Sequence, residues 1–219
     1  MPHGKLIVIE GLDGSGKATQ AALLTARLQK ADKPVTQVSF PDYSSRSSEL
    51  VKMYLGGEIG GLDSVNVFAA SIFYAADRYI SFETAWKSSY LAGHTIVADR
   101  YATSNAVHQT AKLPPGEWDD YLTWLEDLEY RRMELPRPDL VLYLDMPPEV
   151  SRKLILNRGQ TSLDLHEGNF QYLKKCRETA LYAAQRLGWS VIGCSDGDDP
   201  LPVEAVSLKI DKHLERIEL

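Results

Sequence analysis

The ten residues GLDGSGKATQ, Gly11–Gln20, have the spacing of a phosphate cradle: Gly11, then Gly16 and Lys17. Glycines in such a turn let consecutive backbone N–H groups converge on one anion. A helix starting there adds the positive end of its dipole. Lys17 supplies a point charge for the outer phosphates of a nucleoside triphosphate. Gly11, Asp13, Gly14, Ser15, Gly16, Lys17, Ala18 and Thr19 are therefore the candidate donor-nucleotide loop. One residue is out of pattern. Ala18 stands where a hydroxyl normally meets Mg²⁺, and Thr19 comes one place late. Adjacent helical residues point about 100° apart, so Thr19 is not expected to stand in for it. Mg²⁺ keeps several waters and leans on phosphate oxygens, so one acid can complete the site. Asp99 is the candidate metal ligand.

A second set of residues is suited to reading a nucleobase. Asp99, Arg100 and Tyr101 end an apolar run, where a Walker-B-type acid approaches the metal. Ser104, Asn105 and His108 follow at i, i+1 and i+4, on one helical face. Tyr74 and Arg78, in FYAADR, are four apart and emerge side by side. An aromatic platform beside a guanidinium suits a base, by stacking and hydrogen bonding. Taken singly, each piece also fits a plain role: a strand-end ion pair, an exposed polar face, a core aromatic with a surface arginine. The phosphate loop is what draws them into one reading.

An alternation of strands and helices must position these residues. Lys5–Glu10 reads as a buried strand stopped by glycine, and Ala18–Lys30 as a helix with Ala21, Leu24 and Leu28 on one side. Val35–Phe40 is a second strand, and a short helix follows to Gly56 and Gly57. A long helical pattern runs from Val65 to Leu91, closed by Gly93. Thr95–Arg100 is the third strand, followed by helices over Tyr101–Lys112 and Trp118–Glu134. Asp139–Asp145 is the fourth strand, and Pro147 opens a helix to Asn157. Polar residues from Gly159 to Gly168 separate it from a helix over Asn169–Leu187. A fifth strand, Trp189–Cys194, and a last helix, Val203–Ile217, complete the chain. The pattern predicts an α/β fold: a five-stranded parallel sheet with helices on both faces. Ligands of such folds bind beyond the carboxyl ends of the strands. Asp13, Asp42, Asp99 and Asp145 all fall at such ends.

Composition narrows the classes. The 219 residues, 44% hydrophobic and 25% charged, fit a single globular domain, 1–219. A formal charge of −6 argues against a broad basic surface for a nucleic acid polymer. Cys176 and Cys194 have no metal-ligand spacing and imply no disulfide framework, so a reducing, cytoplasmic setting is the simplest. The apolar run Leu6–Ile9 is too short for a signal-peptide core, and nothing approaches a membrane span.

Together GLDGSGKATQ, FPDYSS, FYAADR, DRYATSNAVH, RPDLVLYLDMPPEVS and NRG resemble the thymidylate (dTMP) kinases, in that family's order, across nearly the whole chain. The resemblance implies a P-loop nucleoside monophosphate kinase that transfers the γ-phosphoryl of ATP, with Mg²⁺, to dTMP. It implies that Asp13 orders the acceptor sugar and that Tyr74 stacks on thymine. It further implies that Arg78 donates to a thymine carbonyl, with Ser104 and Asn105 lining the base pocket. Arg100 would bind the dTMP phosphate, flanked by Phe40 to Tyr43. Lys17 and Arg158 would hold the donor phosphates, Arg158 from a lid at about 157–168. Two departures stand out. His108 replaces a tyrosine of some members, and neither Gly14 nor the rest of the lid supplies a second cation, which leaves Arg158, with Arg152, to do so. The family is usually homodimeric, and the apolar helix around Val67–Phe82 is the expected interface. The alternatives are a kinase for another deoxynucleotide or deoxynucleoside, and a nucleotide-binding switch; no GTPase base-reading motif favours the switch.

Overall fold

The apolar runs read as strands assemble as expected. In a computed structural model that describes residues 3–61, 64–157, 170–215 and 217, five strands form one sheet. They are β1 (Leu6–Gly11), β2 (Val35–Ser39), β3 (Thr95–Asp99), β4 (Leu140–Asp145) and β5 (Ser190–Gly193). Their order is β2-β3-β1-β4-β5 and every pairing is parallel. The helices are α1 (Lys17–Lys30), α2 (Glu49–Leu55), α3 (Val67–Ser81), α4 (Lys87–Leu91), α5 (Ala102–His108), α6 (Trp118–Glu126), α7 (Pro148–Asn157), α8 (Phe170–Leu187) and α9 (Val203–Leu214).

Side chains of a strand alternate between faces, and both faces here are apolar. Ile7, Ile9, Val97, Leu142 and Leu144 pack on Ala21, Leu24 and Leu28 of α1 and on Val206 and Ile210 of α9. Leu6, Val8, Ile96, Ala98 and Val141 take the other face, under Phe82, Trp86, Tyr90 and Tyr101. Tyr143 continues that face beneath Cys176 and Ala180 of α8. The register sets Ile9 beside Asp99 and Gly11 beside Leu144. β1 has β3 on one side and β4 on the other, so the chain leaves β1 in one direction and returns past it in the other. That switch point opens a crevice at the carboxyl ends of β1 and β3.

Three helical expectations are corrected. The pattern over 65–91 is not one helix: α3 ends at Ser81, a π-helical turn covers Phe82–Trp86, and α4 follows. Phe82, Trp86 and Tyr90 recur every four residues and all are buried, a spacing that fits a widened turn as well as a regular one. The pattern over 118–134 likewise splits into α6 and a π-helical segment, Asp127–Arg132. The helix expected to run to Lys112 stops at His108, and a tight 3₁₀ turn covers Thr110–Lys112. Strand ends shift by a residue. Gly93 does close its helix, with φ 91° and its N–H on the Tyr90 carbonyl at 3.1 Å.

Gly11 shows why the phosphate loop needs glycine. Its φ is 159°, and a Cβ there would lie 2.5 Å from Ser15 Oγ and 2.9 Å from the Leu144 carbonyl oxygen. Gly11→Ala is therefore expected to destabilise the fold by about 1–3 kcal/mol through overpacking. Thermal denaturation checks it; an unchanged Tm would mean that the loop relaxes around the methyl group.

Candidate active site

The Gly-rich turn leaves β1 at Gly11 and enters α1 at Lys17. Gly16, before the helix, has a left-handed backbone (φ 90°) and no side chain to cap it. The first N–H groups of α1 thus have no capping side chain and no partner within the helix, which is the state an anion site requires. Ala18 and Thr19 are both exposed on the first turn.

Beside this turn lies a cavity of about 280 Å³. It collects Asp13, Phe40, Tyr43, Tyr74 and Arg78, together with Asp99, Arg100, Ser104, Asn105 and His108. Residues far apart in the chain are brought together by the crevice: Asp99 and Arg100 end β3, Tyr74 and Arg78 lie on α3, and Ser104, Asn105 and His108 on α5. Tyr74 is half-buried and meets Tyr54 edge-on, ring centroids 6.2 Å apart. Phe40 is buried against Tyr101, and Tyr43 is 52% exposed at the rim. Asn105 Nδ2 donates to the Ser71 carbonyl of α3 at 3.2 Å.

The charged groups are tied into one cluster. Arg100 has a left-handed backbone (φ 68°), uncommon for a side-chain-bearing residue. Its guanidinium ion-pairs with Asp13 through Nη2 and reaches Glu10 Oε1 at 3.4 Å through Nη1. Lys17 Nζ donates to the Leu12 carbonyl at 3.0 Å and to Asp13 Oδ1 at 3.5 Å. Burial works against ionisation of Asp13, but Arg100, Lys17 and His108 hold its carboxyl far below the usual range. Burial, then the charge of Arg100, draws the Lys17 ammonium below its ordinary value against the pull of Asp13, Glu10 and Asp99. Asp99 goes the other way: burial raises it, despite Lys17 and Arg100 nearby. Its buried Oδ1 has no hydrogen-bond partner among the described residues. A buried carboxylate oxygen that no described residue donates to suits a cation.

Residues 9–198 match the family model described as thymidylate kinase. This chain belongs to the thymidylate kinase family. It is 30% identical over 197 residues to the thymidylate kinase of Mycobacterium tuberculosis, covering 86% of this chain and 91% of that protein. It is 34% identical over 184 residues to a probable thymidylate kinase of Thermococcus onnurineus, covering 82% and 84%. A solved thymidylate kinase from Candida albicans superposes with a TM-score of 0.73 at 23% identity, covering 98% of this chain and 92% of that one. That likeness concerns the fold.

Within this family member, the four strand-end aspartates separate. Asp13 and Asp99 face the cavity. Asp42 instead accepts from Ser44 N–H at 3.0 Å, and Asp145 is held bidentate by Arg177 at 2.7 and 2.9 Å. Arg152 is exposed, its guanidinium 5.7 Å from the Phe170 ring centroid. Arg158 and the expected lid, apart from Asn157 at the end of α7, lie outside the described residues. Three acceptor-side groups were missed in the sequence. Glu10, fully buried at the end of β1, accepts from Gly11 N–H at 2.9 Å and from the Thr103 and Ser104 hydroxyls at 2.7 Å each. Asp77 accepts from Asp42 N–H at 3.1 Å and from the Ser47 hydroxyl, tying the FPDYSS loop to α3. Gln109 lines the cavity with its Oε1 buried and unpartnered among the described residues. Strand-end position could have found Glu10, and i+4 spacing from Asn105 could have found Gln109.

The raised Asp99 carboxyl gives a prediction for the ligand-free protein. A carboxyl whose folded pKa exceeds its unfolded one opposes folding once ionised. Asp99→Asn should therefore raise Tm at pH 7, with the gain shrinking as pH falls through the raised Asp99 value. A Tm gain that grows on acidification, or a loss at pH 7, would contradict this.

Proposed function

We propose that this chain transfers the γ-phosphoryl group of ATP to dTMP, giving dTDP and ADP. One observation carries the reading: an aromatic ring, a buried arginine and the polar face of α5 line one cavity that abuts the phosphate loop through Asp13 and Arg100. Phosphoryl transfer needs alignment and neutralisation of charge more than covalent chemistry. The uncapped N–H groups of α1 and Lys17 would bind the donor phosphates. Arg100 would exchange Asp13 for the acceptor phosphate, Tyr74 would stack on the base, and Asn105, Ser104 and Arg78 would read it. Tyr43 and Phe40 would close the acceptor side, His108 the sugar side, and Arg158 would complete the donor side. Mg²⁺ fits the donor set, held by the unpartnered Asp99 oxygen with phosphate oxygens and water. When bound it neutralises phosphate charge.

We read residues 1–219 as one kinase domain acting as a homodimer in the cytoplasm. Phe68, Ile72 and Tyr79 lie on one side of α3 and are 39%, 48% and 40% exposed, an apolar stripe suited to a second copy. Cys176 and Cys194 are free buried thiols, in keeping with a reducing compartment. Among the described residues, no helix is long and apolar enough to cross a membrane.

A coupled assay over nucleoside monophosphates tests the acceptor. dTMP should be preferred and dUMP poorer, since one methyl group is worth about 1–3 kcal/mol, with dCMP and dAMP far poorer. Tyr74→Ala should raise the dTMP KM and spare the ATP KM, a stacking loss of roughly 1–3 kcal/mol. Equal kcat/KM for dCMP and dTMP would refute the reading.

The metal is tested by kcat against Mg²⁺ concentration at saturating ATP and dTMP. Thr19→Ala should leave the Mg²⁺ requirement unchanged, while Asp99→Asn should lower kcat strongly and shift the requirement upward. The reverse pattern would make the late hydroxyl the ligand.

A further inference from the structure

Arg78 is read above as a base-reading donor, yet it is a buried residue, only 2% exposed, and a buried guanidinium needs an anion. Its anion is Glu129, fully buried and brought in by the π-helical segment Asp127–Arg132. The contact is side-on. Nε donates to Glu129 Oε2 at 3.1 Å, and Nη2 donates to Oε1. Nη1 lies 3.5 Å from the Tyr101 carbonyl. A guanidinium carries five N–H groups in a rigid plane. Glu129 occupies the two on one edge, so those not taken are carried by the two terminal nitrogens. Arg78 borders the cavity; Glu129 does not. The backbone that carries the carboxylate is pinned too, since Leu135 N–H closes on the Glu129 carbonyl at 3.0 Å.

We propose that Glu129 is the positioning residue for base selection: it locks the guanidinium of Arg78 so that this corner of the acceptor cavity presents N–H donors only. This rests on the acceptor reading above. A donor-only corner accepts a pyrimidine carbonyl and rejects an amino group in the same place, because two donors meet and both lose water without gaining a partner. Stability alone is a poor reason for the pair, since a buried ion pair is commonly matched or exceeded by apolar residues of similar volume. Glu129 has the further property that an apolar residue lacks. It fixes the in-plane rotation of the guanidinium through two contacts and supplies a charge against the burial that opposes the cation.

The test compares kcat/KM for dTMP and dCMP in wild type and Glu129→Gln. Glutamine keeps the volume, but it sets an amide donor against one of the two N–H groups that Glu129 accepts. The dTMP:dCMP ratio should fall by about tenfold or more, through the acceptor KM, with the ATP KM within about twofold of wild type. A lower Tm with the ratio within twofold of wild type would make the pair structural only and overturn the proposal. Should Glu129→Gln fail to fold, Glu129→Asp keeps the charge but shortens the carboxylate and re-aims the guanidinium, and it decides in the same way: a fall in the ratio through the acceptor KM supports the proposal, and retention overturns it. Failure of the acceptor reading shows separately, as a wild type that does not prefer dTMP. A preference for another carbonyl-bearing base must then fall in the variant, and a wild type that favours an amino-bearing base, or a variant that keeps the preference, overturns the proposal.

Discussion

Taking charge out of water is the constraint that orders this molecule. A site for phosphates needs cations, and a crevice between strand ends buries them. Each buried cation therefore needs a carboxylate close by, but one that does not saturate it. Asp13 serves both Lys17 and Arg100, Glu10 adds a second contact to Arg100, and Glu129 serves Arg78. Glu10 is satisfied further by the Gly11 N–H and the Thr103 and Ser104 hydroxyls. Asp99 alone among the cavity's carboxylates retains an unpartnered buried oxygen among the described residues.

The parallel sheet makes that arrangement possible. Strands apolar on both faces hold their carboxyl ends at fixed spacing, and the switch point beside β1 leaves room there for ligands. The phosphate loop, the DRY turn and the loop after β2 all open at this edge. The Phe40 N–H still bonds the Asp99 carbonyl at 3.0 Å, so the acceptor-side wall is an extension of the sheet itself.

Much of this was legible in the sequence. β1, β3 and β4 announce themselves as Ile-, Val- and Leu-rich runs ended by Gly or Asp, and their alternation with helices fixes the class. The long helices were legible only in outline. Phe82, Trp86 and Tyr90 recur every four residues, and that spacing does not reveal whether a turn has 3.6 residues or a wider π turn. The lining of the candidate site was legible wherever a motif carried it, as with Asp13, Tyr74 and Arg100. Two buried carboxylates, Glu129 and Asp77, were not. Glu129 sits in LEDLEYRRME, which reads as the solvated face of a charged helix, and Asp77 reads as a helix-surface acid. Burial of an acid depends on a partner distant in the chain, 51 residues away for Glu129, and no local pattern encodes that.

Asp77 and Arg78 are consecutive on α3. One anchors the loop that carries Phe40 and Tyr43; the other meets Glu129 and borders the cavity. The loop is thus held twice, by α3 through Asp77 and by the sheet through the Phe40 N–H on the Asp99 carbonyl. A displacement of α3 against the sheet would have to stretch one attachment or the other. The cavity lining therefore works as a brace between helix and sheet, and the two elements limit each other's movement at the place where they meet.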